Sequence, residues 1–135
     1  MANENGALVA LDQEKAYDKI RHDYLWKTLK VFHLPLPFIN TIKFLYGNTS
    51  TTVAINSIFS KPYKVTCGVR QGDPISCPLL NLVIKPLACM IRNDPNMKGF
   101  TALNLANPIK ITLFADDTMV YLNHDDHLDY LQGAL

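Results

Sequence analysis

The stretch from 109 to 122 constrains the fold of this chain more than any other part of the sequence. It reads IKITLFADDTMVYL, with two short runs rich in β-forming residues on either side of two aspartates. The first run alternates apolar and polar residues, which is the period-2 pattern of a half-buried strand. The stretch therefore predicts a β-hairpin with its turn at 114–118 and with Asp116 and Asp117 at its tip.

Two neighbouring carboxylates at the tip of an apolar hairpin repel each other unless a proton or a cation relieves them. A solvated acidic turn is one interpretation of Asp116 and Asp117. The other is a ligand pair for a hard divalent cation, which prefers oxygen ligands. The hairpin alone does not decide between them, and a third carboxylate nearby would favour the second interpretation.

A third carboxylate follows the first apolar run of the chain. Residues 7–11, ALVAL, predict a central strand buried on both faces, and Asp12 stands at its end. If this strand lies beside the hairpin, three carboxylates meet at one edge of a sheet. Such a cluster is costly without metal, and two Mg²⁺ ions about 3.5–4 Å apart would relieve it. The residues then predict metal-dependent phosphoryl transfer, by a polymerase or equally by a nuclease.

The rest of the chain alternates helical and strand patterns. The predicted elements are helices at 14–31, 37–46 and 77–91 and a hairpin of strands at 51–55 and 63–66. Asn56 and Ser57 are expected at the turn of this hairpin, and Ser76 is expected to cap the third helix. The pattern favours an α+β fold, with helices packed on one face of a mainly antiparallel sheet.

The composition gives no general attraction for a polyanion, because the formal net charge is only +1. Nucleic acid would therefore have to bind through local patches. Three widely spaced cysteines fit reduced, intracellular thiols, and no signal peptide or membrane-spanning run is visible, so we expect no membrane partner. The segment 124–127, HDDH, looks like a metal site but more readily begins a solvated helix.

Three motifs together resemble the palm of reverse transcriptases, most closely the LINE-like class encoded by retrotransposons that lack long terminal repeats. The matching segments are 10–20 (ALDQEKAYDKI), 68–76 (GVRQGDPIS) and 114–117 (FADD). They stand in the family's order, and the resemblance covers nearly the whole chain from Ala7 onward. It implies a polymerase palm-like fold.

The resemblance also implies a metal site. Asp12, Asp116 and Asp117 would be the catalytic carboxylates that hold two Mg²⁺ ions, with Mn²⁺ as an alternative. The backbone carbonyl of Gln13 would add a further ligand. In phosphoryl transfer such ions activate the attacking oxygen and stabilise the leaving one.

The nucleotide contacts are implied by the same resemblance. Tyr17 would be the aromatic gate under the incoming sugar, whereas periodicity alone makes it a core residue of a helix. Gln71 and Gly72 would contact the incoming nucleotide and the template, where glycine allows close approach of the backbone. Arg70 would meet either phosphate or solvent.

The implied function is RNA-directed DNA polymerisation, in which nucleotides pass from deoxynucleoside triphosphates to a DNA primer on an RNA or DNA template. We expect residues 1–6 to be a leader and 7–135 a partial palm domain with fingers and thumb largely absent, which predicts weak or no activity of the chain alone. The alternative is a non-catalytic retroelement remnant, or a module that binds nucleic acid or protein. A nuclease is disfavoured, because hydrolysis needs neither Tyr17 nor Gln71-Gly72.

Overall fold

The computed structural model describes residues 6–101, 106–114, 116–126 and 129. The elements along the chain are β1 (Ala7–Asp12), α1 (His22–Val31), α2 (Leu36–Gly47), β2 (Ser50–Thr51), β3 (Ala54–Ile55), β4 (Ile58–Phe59), β5 (Tyr63–Lys64), α3 (Ser76–Asn93), β6 (Ile111–Phe114) and β7 (Asp117–Leu122). The chain divides into two compact units, with one boundary within α3. The sheet unit comprises Met1–Glu14 and Ile84–Leu135, and the hairpin unit comprises Lys15–Val83.

The sheet unit is built on a three-stranded antiparallel sheet in the order β1-β7-β6. At its centre, Val120 of β7 pairs with Val9 on one side and with Ile111 on the other. Alternate residues of β7 are buried, and they pack against the end of α3. The core cluster consists of Ala88, Ile91, Met97, Ile111, Val120 and Leu122. A helix on one face of an antiparallel sheet confirms the predicted α+β fold.

The prediction that 7–11 form a central strand buried on both faces is wrong. Among the described strands β1 lies at an edge, and β7 takes the central place. One face of β1 is open, since Leu8 is 57% exposed while Val9 and Leu11 pack on the core. A short continuous apolar run does not reveal how many of its faces are covered, because periodicity carries that information only when the pattern alternates.

The hairpin unit begins with a turn where the sequence predicted a helix. The helix expected at 14–31 starts only at His22, and Lys15 has a φ of 54°. The preceding carbonyl groups are engaged elsewhere: Ile20 accepts the N–H of Gly68 at 2.7 Å, and Tyr17 accepts the N–H of Val69 at 2.8 Å. These tertiary hydrogen bonds override the apolar spacing, which therefore overestimated the helix.

Two helices and a hairpin complete this unit. α1 packs against α2, with Leu25 and Leu29 of the first and Ile42 of the second almost fully buried. The predicted hairpin is present in two short ladders, one pairing β2 with β5 and the other pairing β3 with β4. Its turn lies at Asn56 and Ser57 as predicted, with φ values of 48° and 65°, but β4 was not predicted. Among the described helices none is long and apolar enough to cross a membrane.

Candidate active site

The acidic tip lies where neighbouring strands of the sheet unit end together. Asp12, the last residue of β1, pairs directly with Asp117, the first residue of β7. Asp117 pairs on its other side with Phe114, and Asp116 lies in the turn between β6 and β7. The structure thus places Asp12 and Asp117 on adjacent strands and Asp116 next to Asp117 in the turn, while their catalytic role stays a prediction.

Asp12 and Asp117 share one face of the sheet, because directly opposed residues of an antiparallel pair point the same way. Both side chains are exposed. Like charges directly opposite each other destabilise a strand pair, by a few tenths of a kcal/mol up to about 1 kcal/mol. The tip is therefore a place where a bound cation would stabilise the sheet.

The donor set fits a hard divalent cation by its chemistry, since carboxylate and carbonyl oxygens are the ligands of Mg²⁺. As the side chains lie, no three acidic, imidazole or thiol groups within the described residues stand close enough to hold an ion. The strand register fixes the backbones, whereas the exposed carboxylates can still change rotamer. That Asp12, Asp116 and Asp117 hold an ion together with the backbone carbonyl of Gln13 stays a prediction.

Tyr17, in the hairpin unit, lies in the turn before α1 and is half-buried. Its hydroxyl oxygen is 3.3 Å from Sγ of Cys77, near the start of α3. Its carbonyl oxygen accepts the N–H of Val69, at the beginning of the second motif. The alternative interpretation of Tyr17 as a core residue of a helix is wrong, because the helix starts five residues later.

The loop that carries Arg70, Gln71 and Gly72 is exposed at all three of these residues. Gly72 has a φ of +83°, and nothing lies within 4 Å of the place that a Cβ would occupy. Backbone conformation therefore accounts for glycine at this position, since only glycine adopts a positive φ without cost. The role of these residues in contacting a nucleotide stays a prediction.

Tyr46, near the end of α2, contacts residues of the second-motif loop and of the helix start through its hydroxyl group. Its hydroxyl donates to Oδ2 of Asp73 and lies 3.3 Å from Oγ of Ser76, and both contacts have the same length. Burial raises the pKa of Tyr46 above its ordinary value, which keeps the hydroxyl protonated as a donor. Ser76 in turn donates to the carbonyl oxygen of Arg70 at 2.5 Å. Tyr46 thus reaches the loop through both Asp73 and Ser76.

The expectation that Ser76 caps α3 with its side chain is wrong. Ser76 is the first residue of the helix, and its hydroxyl is directed to Arg70. The carboxylate that accepts an N–H group ahead of the helix belongs to Asp73, whose Oδ1 lies 3.3 Å from the N–H nitrogen of Ile75. Asp73 therefore accepts a hydrogen bond in the turn just before the helix begins.

His22 is a second supporting residue that sequence reasoning missed. Its Nε2 lies 2.8 Å from the carbonyl oxygen of Gly68, so Nε2 carries the donated proton. The ring is almost buried, and its centroid lies 5.6 Å from that of Trp26 and 6.2 Å from that of Tyr46. A polar-tipped ring on the apolar stripe of a predicted helix is a signal that could have found both His22 and Tyr46, because such rings find partners when buried.

The metal-like segment HDDH is structural where it is described. The carboxylate of Asp126 accepts the backbone N–H groups of Lys98, Gly99 and Asn123 at 2.7–2.9 Å. Burial opposes its charge, but these three donors outweigh burial and hold the pKa of Asp126 below its ordinary value. Asp125 pairs with the Lys98 ammonium group at 2.5 Å. His127, the last residue of the segment, lies outside the described residues.

An α+β fold with the first and third motifs on one antiparallel sheet is compatible with a polymerase palm-like domain. The chain belongs to the reverse transcriptase (RNA-dependent DNA polymerase) family, whose sequence profile matches residues 2–135. Its relatives are retrotransposon proteins, which confirms the predicted class that lacks long terminal repeats.

Three relatives illustrate the similarity. The chain is 35% identical over 117 residues to the transposon TX1 uncharacterized 149 kDa protein of Xenopus laevis, which covers 84% of this chain and 9% of that protein. It is 33% identical over 113 residues to the retrovirus-related Pol polyprotein of the type-1 retrotransposable element R2 of Nasonia vitripennis, covering 84% of this chain and 10% of the relative. The corresponding polyprotein of the type-2 element R2DM of Drosophila melanogaster is 29% identical over 111 residues, with 82% and 10% covered. The chain thus spans about a tenth of the length of these relatives.

Proposed function

We propose that this chain forms the catalytic palm of an RNA-directed DNA polymerase. The reaction is nucleotidyl transfer from a deoxynucleoside triphosphate to the 3′-hydroxyl of a DNA primer, on an RNA or DNA template. Membership in the reverse transcriptase family supports the reaction class, and the observation that carries the assignment to residues is the register of Asp12 directly opposite Asp117.

Two groups of residues contribute to the proposed reaction, and the first binds the metal ions. Asp12, Asp116 and Asp117 hold two Mg²⁺ ions, or Mn²⁺, with the backbone carbonyl of Gln13 as an added ligand. When bound, such ions lower the barrier by activating the attacking hydroxyl and neutralising phosphate charge. The strands that end at the tip keep the carboxylates at fixed backbone positions, which limits the reorganisation that a reaction would otherwise require.

The second group orients the nucleotide. Tyr17 limits the space beside the sugar, so that a 2′-hydroxyl is excluded. Gln71 and Gly72 contact the nucleotide and the template from their exposed turn, and Arg70 contributes a cation beside them. The hydrogen bonds from Val69 to Tyr17 and from Gly68 to Ile20 support this assignment, because they hold the gate and the loop together within the hairpin unit.

The test is primer extension by a chimera. Residues 7–126 replace the corresponding segment of the Nasonia R2 relative, and the product is assayed with RNA template, DNA primer, deoxynucleotides and Mg²⁺. Extension by the chimera is expected, with loss of at least about a hundredfold in the Asp116→Asn/Asp117→Asn variant. The matched control is Asp125→Asn, which removes an acidic charge from the same unit and should leave extension unchanged.

A non-catalytic remnant is the competing function. The side chains at the acidic tip are not gathered around an ion site as they lie, and that observation favours it. A chimera that folds and binds primer-template but extends no better than its double aspartate variant would establish the remnant and refute the polymerase.

A further inference from the structure

The net charge of +1 conceals an uneven distribution of charge between the two units. The sequence of the hairpin unit contains nine basic and three acidic residues, whereas that of the sheet unit contains four basic and nine acidic residues. From Tyr24 to Gly72 there are six basic residues and no aspartate or glutamate. A stretch of this length without an acidic residue is an electrostatic footprint for a polyanion.

The hairpin at 50–64 lies within this basic stretch of the sequence. Every one of its residues is exposed, including two aromatic residues, Phe59 at 70% and Tyr63 at 52%. Lys61 and Lys64 stand beside them in the sequence. A two-stranded hairpin exposed on both faces gains little stability from burial, so large apolar and aromatic residues on its surface point to a ligand rather than to a core.

A groove leads from the base of this hairpin to the second-motif loop. Its volume is about 450 Å³. Ser50, Thr51 and Tyr63 line it on the hairpin side, and Arg70 lines it on the loop side. Asp18 is the acidic residue among those that line it. Hydroxyl groups, an arginine and an aromatic ring are the contacts that a sugar-phosphate strand with unstacked bases uses.

We propose that the hairpin at 50–64 and this groove bind single-stranded nucleic acid. Lys61, Lys64 and Arg70 contact phosphates, and the bases stack on Tyr63 and Phe59. Charge complementarity selects this ligand over a protein segment, because the stretch from Tyr24 to Gly72 contains six basic residues and no aspartate or glutamate. The inference deepens the proposed function and rests on it in one respect, namely that the strand bound here is the template.

The test measures binding by the full chain and needs no catalysis. A fluorescent oligouridine of about twelve nucleotides, within the usual site size, is titrated by anisotropy at several salt concentrations. Each phosphate contact to a single strand contributes about −0.7 to the slope of log affinity against log salt. The Lys61→Gln/Lys64→Gln variant should therefore have a slope smaller in magnitude by about 1.4. Lys85→Gln/Lys98→Gln, with the same loss of charge in the sheet unit, should keep the parent slope.

The aromatic contribution has its own pair of variants. Tyr63→Ala should weaken binding by about five- to 150-fold, which is what loss of one stacked base costs. Tyr63→Phe keeps the ring and should bind as the parent does. Thermal unfolding of each variant shows whether the hairpin unit still folds, and Phe59→Ala repeats the test at a position outside the groove lining.

Several outcomes would overturn the proposal. They are a parent chain that binds no single strand, one that binds duplex as tightly as single strands, and a loss of affinity that is the same in the Lys85/Lys98 control. Self-association through the hairpin, abolished by Phe59→Ala, would show that a second copy is the ligand instead. A parallel titration with oligothymidine distinguishes DNA from RNA binding. Equal affinity for the two strands assigns the contacts to phosphate and base, and tighter binding of oligouridine adds a contact to the 2′-hydroxyl. Either of these results supports the site, and neither depends on whether the chimera extends a primer.

Discussion

Val69 donates its backbone N–H to the carbonyl oxygen of Tyr17 at 2.8 Å. This bond and its neighbour from Gly68 to Ile20 connect the end of the first motif to the beginning of the second. Two segments about fifty residues apart in sequence are thereby joined through the main chain, which depends little on the side chains involved. The geometry of Tyr17 and that of the second-motif loop are consequently coupled, and changes in one are expected to alter the other.

Gly68 is the position where this connection is most sensitive. Its φ is +89°, and a Cβ there would lie 3.0 Å from the carbonyl oxygen of Asp18. Gly68→Ala should therefore lower the free energy of unfolding by about 1–3 kcal/mol, measured by urea titration. Gly47→Ala is the matched control, because nothing lies within 4 Å of its Cβ position and it stands in α2. That variant should be neutral or more stable, and equal losses in both would contradict the role assigned to Gly68.

The acidic tip predicts effects of opposite sign on metal binding and on stability. Asp117→Asn should weaken Mn²⁺ binding by at least about tenfold, measured by electron paramagnetic resonance of the free ion, and Asp12→Asn likewise. Without metal, Asp117→Asn should raise the free energy of unfolding by a few tenths of a kcal/mol, because it removes a like-charge cross-strand pair. Asp125→Asn should leave Mn²⁺ binding unchanged. If all three variants bind the ion as the parent does, the site lies elsewhere.

Tyr17 is expected to discriminate between sugars. In the active chimera, Tyr17→Val should raise the incorporation of ribonucleotides relative to deoxyribonucleotides, because a smaller side chain leaves room for the 2′-hydroxyl. The ratio of kcat/KM for the two nucleotide types measures the change. Tyr17→Phe keeps the ring and removes the hydroxyl group that contacts Cys77, so it should retain the parent ratio. An unchanged ratio in an active Tyr17→Val chimera would reduce Tyr17 to a structural residue.

Asp126 predicts a dependence of stability on pH. Its folded pKa is lowered, so its contribution is complete above the ordinary value of 3.8 and is lost as the pH falls through the folded value. Asp126→Ala leaves three backbone donors without this acceptor and should cost about 1.5–3 kcal/mol near neutral pH. Urea titrations at neutral pH and below the folded pKa should show the difference from the parent shrinking in acid. A difference in the free energy of unfolding that is independent of pH would contradict the charge-assisted hydrogen bonds. The control is Asp125→Asn, at an exposed ion pair, which should lower the free energy of unfolding at neutral pH much less.

Thr118 offers a test of the core face of β7. It is 1% exposed, and its Oγ1 has no hydrogen-bond partner among the described residues. Thr118→Val keeps the shape and removes the unsatisfied hydroxyl, so it should raise the free energy of unfolding by about 1 kcal/mol. The control is Thr28→Val in α1, a similarly buried threonine without an orphaned oxygen. Destabilisation by Thr118→Val would indicate a partner for the hydroxyl in solution.

The sequence allowed prediction of the features that depend on local pattern. The period-2 run before Phe114 predicted the β6–β7 hairpin, and the apolar run at 7–11 predicted β1 with Asp12 at its end. The turn at Asn56 and Ser57 followed from turn-favouring residue types between two strand patterns. Each of these signals is contained within about fifteen neighbouring residues, which is the range over which propensity and periodicity act.

The features that were mispredicted depend on distant partners. The start of α1 at His22 is set by N–H groups of Gly68 and Val69, which no window around 14–31 contains. The support of the loop by Tyr46 joins positions 27 and 30 residues apart, through Asp73 and Ser76. Tertiary hydrogen bonds of this kind outweigh local preference and leave no periodic trace in the sequence.

The alternation of Asp117 and Thr118 on opposite faces of β7 has a consequence for how this chain tolerates change in length. A shift of β7 by one residue would bring Asp117 to the core face and carry Val120 and Leu122 into solvent. Exposure of each such apolar side chain lowers the free energy of unfolding by about 1.5–3 kcal/mol, and burial of an unpaired carboxylate lowers it further. Insertions or deletions of one residue within β7 should therefore unfold the sheet unit, whatever their effect on activity. The same register that buries the core residues of β7 also fixes the backbone position of Asp117.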